Sequence, residues 1–197
     1  MVAPHRHSAP GKLRIVGGDL RGSKLAVADL DGLRPTPDRV RETLFNWLAP
    51  YIGGAHCLDL FAGTGALGIE ALSRGAARVD FVERDARLAQ ALRDNLARLR
   101  QENGHVRNAD ALALLGEAAR RPCDIVFLDP PFASNLWDEA ARLVEMNEWL
   151  SPHALIYVES AAERTLSLPS TWQSHRAGRA GATRYALYRR SDKLAGS

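Results

Sequence analysis

The chain is poor in sulfur and aromatic side chains: two cysteines, two methionines and 7% Phe, Trp and Tyr in 197 residues. Cys57 and Cys123 sit in separate apolar runs and form no CxxC pair. They read as small buried hydrophobes in a reducing, cytoplasmic compartment. No apolar stretch approaches the ~20 residues of a membrane span, and the basic first dozen residues lack the apolar centre of a signal peptide. There is no GxxxxGK[ST], so an ATP phosphate loop has no support. There is no internal repeat and no second core. His5 and His7 fall in the N-terminal tail, and His56, His105, His153 and His175 are scattered, so no metal is expected. Lysine is scarce too, at three residues against 23 arginines.

What is present is an ordinary globular composition, 46% apolar and 25% charged. A chain of this length buries roughly 70% of its unfolded surface without staples. The net charge of +3 conceals a split: residues 1–48 carry +3, residues 49–159 carry −5 and residues 160–197 carry +5. Basic ends around an acidic middle suit a polyanionic partner, although arginine-rich usage alone gives a similar excess.

Apolar periodicity divides the chain. Residues 1–12 read as a disordered basic tail, 13–190 as one domain and 191–197 as a second tail. Runs at 13–16 and 24–27 flank a glycine-containing basic turn and predict an N-terminal hairpin. A helix follows, capped by Thr36 or Asp38 with Pro37 in its first turn and ending at Pro50. Hairpin and helix together occupy 13–51. Short apolar runs at 57–61, 79–82, 104–106, 124–128 and 154–158 then alternate with helical segments at 66–73, 86–99, 110–120 and 135–145. That alternation predicts a doubly wound, mostly parallel α/β sheet. Two more strands, 172–177 and 184–188, lack a helix between them. A glycine-rich turn at 178–181 joins them, so that edge is expected to be antiparallel. Trp47, Trp137, Trp149 and Trp172 read as core or edge packing.

Two strings carry chemistry. In the first, Asp59 ends a strand and Gly63, Gly65 and Gly68 form a turn into a helix. Glycine permits the tight turn and lets backbone N–H groups approach a ligand. Glu83 ends the next strand, where an acid can take both ribose hydroxyls. A pyrophosphate at this turn would be repelled by Asp59, whereas a cationic amino group would be attracted. The string therefore favours S-adenosylmethionine over a nicotinamide dinucleotide. In the second, Asp129-Pro130-Pro131-Phe132 follows another strand. A carboxylate and a rigidly aimed proline carbonyl suit an NH₂ donor, and Phe132 offers a stacking face for a planar base. Strand carboxyl ends gather at one edge of such a sheet, which makes the two strings neighbours.

The string DLFAGTGALGIEALSRGA, Glu83, Asn108-Ala109-Asp110-Ala111 and LDPPF resembles the class I S-adenosylmethionine-dependent amino-methyltransferases. With LRIVGGDLRG and RPTPDRVRETLFNWL near the start, residues 13 to about 190 resemble, more narrowly, the bacterial 16S rRNA guanine-N2 methyltransferases of the RsmD type. The resemblance implies a seven-stranded Rossmann-like sheet with one reversed strand. It implies that Asp59, Phe61, Ala62, Gly63, Thr64 and Gly65 surround the methionine part of the cofactor, with Glu83 and Arg84 at the ribose. Asp110 and Ala111 would lie at the adenine, though the residue before Asp110 is alanine where many relatives have glycine. Arg39 belongs to the same cofactor set. Asp129 and Pro130 would hold the guanine N2 amine, with Phe132 stacked on the base. Arg34, Thr36, Arg39, Arg41 and Glu42 match the family's N-terminal helix segment. Arg14, Arg21, Lys24 and Arg34 form the expected RNA clamp. The implied partner is 16S rRNA within the small subunit or its assembly intermediate, the implied site cytoplasmic, and the default state a monomer. The alternatives are an adenine N6 methyltransferase on DNA, a methyltransferase of a protein glutamine, a dinucleotide oxidoreductase and a non-catalytic RNA-binding factor. The absence of a target-recognition domain counts against the first. Asp59 in place of asparagine counts against the second, and Asp59 together with the DPPF string against the third. The intact glycine turn and Asp129 count against the last.

Overall fold

The computed structural model describes residues 13–26 and 36–191; the expected tails up to residue 12 and from 192, Val27 of the hairpin and Arg34 lie outside the described residues. The hairpin pairs β1 (Leu13–Arg14) antiparallel with β2 (Lys24–Leu25). Helix α1 (Asp38–Leu48) buries Val40, Leu44 and Leu48 along one stripe. Its capping corrects the expectation. Pro37 occupies the N-cap and no side chain caps the helix. The Thr36 hydroxyl donates instead to Glu159 (3.3 Å), and the Asp38 carboxylate accepts from Arg14 and Arg41. Tertiary partners have claimed both candidate caps.

Next come β3 (His56–Asp59), α2 (Ala66–Ser73), β4 (Arg78–Glu83), α3 (Ala86–Arg98) and β5 (Gly104–Asn108). They are followed by α4 (Ala111–Leu115), β6 (Cys123–Leu128), α5 (Trp137–Met146), β7 (Leu150–Ala161), β8 (Trp172–Ala180) and β9 (Thr183–Arg190). Seven strands form one sheet in the order β5-β4-β3-β6-β7-β9-β8. The first five are parallel, and β9 runs antiparallel to both β7 and β8. This is the doubly wound sheet with an antiparallel edge that the alternation predicts. Two helical and turn boundaries differ. The 110–120 helix stops at Leu115, and β8 continues through Ala180 into the expected turn. Gly178 explains the second difference: it pairs with Tyr185, and a Cβ there would stand 2.4 Å from the Tyr185 ring. The glycine makes room for a ring across the ladder rather than ending the strand.

Side chains alternate between two cores. Ile125 and Phe127 of β6 face α1, α2 and α3, whereas Val126 and Leu128 face α4 and α5. Both cysteines are buried free thiols. Trp137, Trp149 and Trp172 are buried, and Trp47 stacks on Tyr185 at 5.6 Å, so all four serve packing. No helix among the described residues is long and apolar enough to cross a membrane.

The hairpin is fastened to α2 and α3. Buried Glu70 accepts from the Val16 and Gly17 amides at 2.8 Å each. Ser73 bonds Leu20 and Gly17, and Asn95 bonds the Ala26 backbone through both its donor and its acceptor.

Candidate active site

Strands β3, β4, β6 and β7 end at the same edge of the sheet, and each ends in or beside an acid. Asp59 closes β3, 3% exposed; one oxygen accepts the Gly68 amide at 3.0 Å. No cation pairs with it among the described residues. Burial pushes its carboxyl up to about 7, the Glu83 charge adds to the rise, and the Gly68 N–H opposes it. The chain then turns through Gly63 (φ 52°) and Gly65 (φ 77°), and Gly65 is the N-cap of α2. Both angles lie in the left-handed region that favours glycine. A Cβ on Gly65 would also stand 2.3 Å from Leu92. Phe61 is half-buried, and Ala62 and Thr64 are buried, so these residues line the turn from inside.

Glu83 closes β4 and braces that turn. Its two oxygens accept the Gly63 amide at 2.8 Å and the Asp85 amide at 2.7 Å. Each oxygen retains a lone pair for a ligand hydroxyl. Arg84 is exposed beside it. Asp110 is exposed and caps α4, accepting the Ala113 amide at 3.1 Å, with Ala111 buried behind it. Asp110 therefore has a structural duty that the sequence reading missed. The structure brings Asp59, Gly63, Gly65 and Glu83 together; it gives Arg39, exposed on α1, no hydrogen bond from its side chain among the described residues.

Asp129 follows the last residue of β6. Burial pushes its carboxyl well above the ordinary range, the charges of Glu159 and Asp59 add to this, and a Thr36 hydrogen bond opposes it. In the proline turn, the Pro131 carbonyl accepts from the Ser134 amide and hydroxyl at 2.8 and 2.6 Å. No described group donates to the Pro130 carbonyl, which is left available. Phe132 is 47% exposed and tilts against the buried Trp137 ring at 6.2 Å. An aromatic so exposed beside a half-buried carboxyl is a ready stacking face.

Sequence reading missed Glu159, near the end of β7. It is 6% exposed and accepts from the Tyr157 hydroxyl at 2.7 Å and from Thr36. Its signal was an acid directly after an apolar strand run, the same placement as Asp129. Arg14, Arg21 and Lys24 are exposed on the hairpin, and Arg14 pairs with Asp38 at 3.1 Å. Asp38 lies two residues from Thr36, so Arg14 approaches the site through α1; among the described residues no side-chain hydrogen bond or ion pair joins Arg21 or Lys24 to it. Two cavities, of about 410 and 550 Å³, lie elsewhere. One is at the amino ends of the strands around His56 and Arg78, and the other is beside the 162–171 loop. Neither is lined by Asp59, Gly63, Glu83 or Asp129.

Similarity to known proteins converges on one family. The family model described as conserved hypothetical protein 95 matches residues 13–189. Ribosomal RNA small subunit methyltransferase D of Escherichia coli K12 is 52% identical over 185 residues, 93% of each chain. Its Haemophilus influenzae counterpart is 47% identical, covering 92% of this chain and 95% of that one. The solved structure of yhhF from Escherichia coli superposes with a TM-score of 0.87 at 51% identity, covering 93% of this chain and all of that one. An RNA methyltransferase from Salinibacter ruber, solved with S-adenosyl-L-homocysteine, shares the fold at 18% identity and a TM-score of 0.64, over 83% of this chain and 98% of that one. On this coverage and identity, the chain belongs to the ribosomal RNA small subunit methyltransferase D family.

Proposed function

We propose that this protein transfers a methyl group from S-adenosylmethionine to the exocyclic N2 amine of a guanine in small-subunit ribosomal RNA. One observation carries the reading. A buried carboxylate that no described cation pairs with, Asp59, and a glycine turn stand at the same strand edge as a second acid, Asp129, followed by rigid prolines and an exposed aromatic. The names of the close relatives supply the RNA. The catalytic domain spans 13–190, hairpin included, and works in the cytoplasm where ribosomal subunits are assembled.

The residues present fit the cofactor. Asp59 offers a charge partner for an ammonium, Glu83 spare lone pairs for ribose hydroxyls, and the Gly63–Gly65 turn a backbone free of Cβ atoms. Arg84, Asp110 and Ala111 would flank the nucleoside. When bound, S-adenosylmethionine supplies an electrophilic methyl on a sulfonium, an excellent leaving group. The protein's task is the amine. An exocyclic amine is a poor nucleophile because its lone pair is delocalised into the ring. Asp129 and the Pro130 carbonyl, accepting its two hydrogens, favour a pyramidal nitrogen with its lone pair aimed at the methyl, while Phe132 holds the ring. Such positioning supplies several kcal/mol, on the order of a third or more of the 7–11 available from orientation. The nitrogen gains the methyl and loses one proton. In its ionised form Asp129 can accept that proton, and the raised pKa makes the ionised carboxylate a stronger base for it. The target base must leave its stack to reach this edge.

The test is labelled S-adenosylmethionine incubated with unmodified small subunits, naked 16S RNA and duplex DNA in parallel, followed by nucleoside mass spectrometry. N2-methylguanosine from the ribosomal substrate is expected. N6-methyladenine from DNA, or label only in protein, would overturn the reading.

A further inference from the structure

Glu159 is a buried acid for which the methyl-transfer scheme has no use. The β6–β7 register pairs Phe127 with Tyr157 and Leu128 with Val158, so Asp129, the first residue past β6, comes next beside Glu159 of β7, near enough for the Glu159 charge to act on its carboxyl. Three elements fix Glu159. From β7, Tyr157 donates its hydroxyl at 2.7 Å; from the lead into α1, Thr36 donates at 3.3 Å to the same oxygen. From α5, the Trp137 indole N–H holds the Glu159 carbonyl at 2.7 Å. The partners of the carboxylate are neutral hydroxyls, and no described cation pairs with it. Its other oxygen accepts no hydrogen bond from the described residues. A carboxylate taken so far out of water costs free energy that two hydroxyls only partly offset. A pre-set group with a spare acceptor beside the amine-binding acid suits a donor that arrives with the substrate.

We propose that Glu159 selects guanine: its spare oxygen accepts the guanine N1–H while Asp129 and the Pro130 carbonyl take the hydrogens of N2. This rests on the reading above, in which a base amine is held at Asp129. The chemistry discriminates. Guanine presents N1–H and N2–H₂ as adjacent donors, matching two adjacent acids. Adenine and 2-aminopurine place a lone pair at N1, which faces the carboxylate with no proton between them. The Asp-Pro-Pro-Phe turn accepts any planar amine; Glu159 supplies the reading of the ring that the turn lacks.

The experiment uses a small-subunit RNA carrying either guanine or 2-aminopurine at the methylated position, mapped by mass spectrometry of nuclease fragments of the product. 2-Aminopurine keeps the reacting N2 amine and removes only the N1–H and the O6. The wild-type protein is expected to methylate the guanine RNA with a kcat/KM at least about a hundredfold above that for the 2-aminopurine RNA, since a site built to accept an N–H rejects a ligand lacking it. In Glu159→Gln, whose amide can donate to a ring lone pair, the preference should shrink to about tenfold or less. Equal use of the two RNAs by the wild type would overturn the proposal without any variant being needed. A Glu159→Gln protein that slows on both RNAs by one common factor would also overturn it, in favour of a packing role. If the guanine RNA accepts no methyl at all, the functional reading itself falls and this inference with it.

Discussion

A carboxyl that is buried, accepts one backbone N–H and meets no cation either keeps its proton or waits for a cationic ligand. Among the described residues Asp59 is in that position, with Glu83 and Asp129 as the facing acids. Its pKa of about 7 in the folded chain gives two linked consequences. Ligand ammonium binds the ionised form, so affinity for S-adenosylmethionine should rise about tenfold per pH unit below pH 7, level off, and fall again once the ligand's own amino group loses its proton, at about pH 8. The folded state holds this proton more tightly than the unfolded chain does. Asp59 therefore makes the free protein lose stability as pH rises from about 4 to about 7, with no further change above. Calorimetric titration between pH 5.5 and 8.5 checks the first consequence; below about pH 7 Asp59→Asn should bind weakly with a flat profile, and a flat wild-type profile there would refute the assignment. Asp129 should behave differently. Asp129→Ala is expected to lower kcat by roughly a thousandfold or more while cofactor affinity stays within a few-fold, because it orients the amine and not the cofactor. Near-normal turnover would remove it from the mechanism. Both of these acids were legible in the sequence, since each follows an apolar strand run and borders glycine or proline. Glu159 was not singled out, although it also follows such a run. Only the β6–β7 register makes it the neighbour of Asp129, and register is a long-range property that no local string encodes.

Elements were legible to the extent that local pattern dictates them. The apolar runs located the parallel strands, and Asp85, directly before the apolar stripe of α3, caps that helix by accepting from Arg87 and Leu88. The misread details are those where a distant partner outweighs a local preference: Thr36 is drawn to Glu159, Asp38 to Arg14, and Gly178 yields to Tyr185. The buried polar joint between the hairpin, α1 and α2 was equally invisible. Arg41 is fully buried; its guanidinium reaches the Arg14 carbonyl at 2.7 Å and Asp38 at 2.6 Å, with Glu70 at 3.7 Å. Glu70 also holds Arg74 at 2.8 Å besides the Val16 and Gly17 amides. Removing one partner of a buried ion pair strands the other, at roughly 3–5 kcal/mol. Glu70→Ala should lose about that much in chemical denaturation, and the Val16 and Gly17 amides should exchange much faster. A loss under about 1 kcal/mol with unchanged exchange would show that the hairpin is held by its apolar contacts alone.

At the scale of the whole molecule, charge and rigidity act together. The segments 1–48 and 160–197 are each net basic around a net acidic middle. The hairpin presents Arg14, Arg21 and Lys24 to solvent. It is bolted through Glu70 and Ser73 to α2, whose N-cap, Gly65, closes the glycine turn. A polyanion gripped by the hairpin would thus be registered against the glycine turn by a single helix. Binding of this kind releases counterions, so log(kcat/KM) should fall linearly with log salt, by close to one unit of slope for each phosphate neutralised. Arg21 is the clean probe. Arg14 is already paired with Asp38, and reversing it would also set two acids together. Arg21→Glu should raise KM for the RNA about tenfold, shrink the salt slope by about one and leave kcat within about twofold, since no contact joins Arg21 to the strand-end acids. The measurement is a KM and kcat series on small subunits from 50 to 300 mM salt. A salt-independent wild type would remove the clamp. A variant with reduced kcat at unchanged KM would instead place Arg21 in the alignment of the base, not in the grip on the RNA backbone.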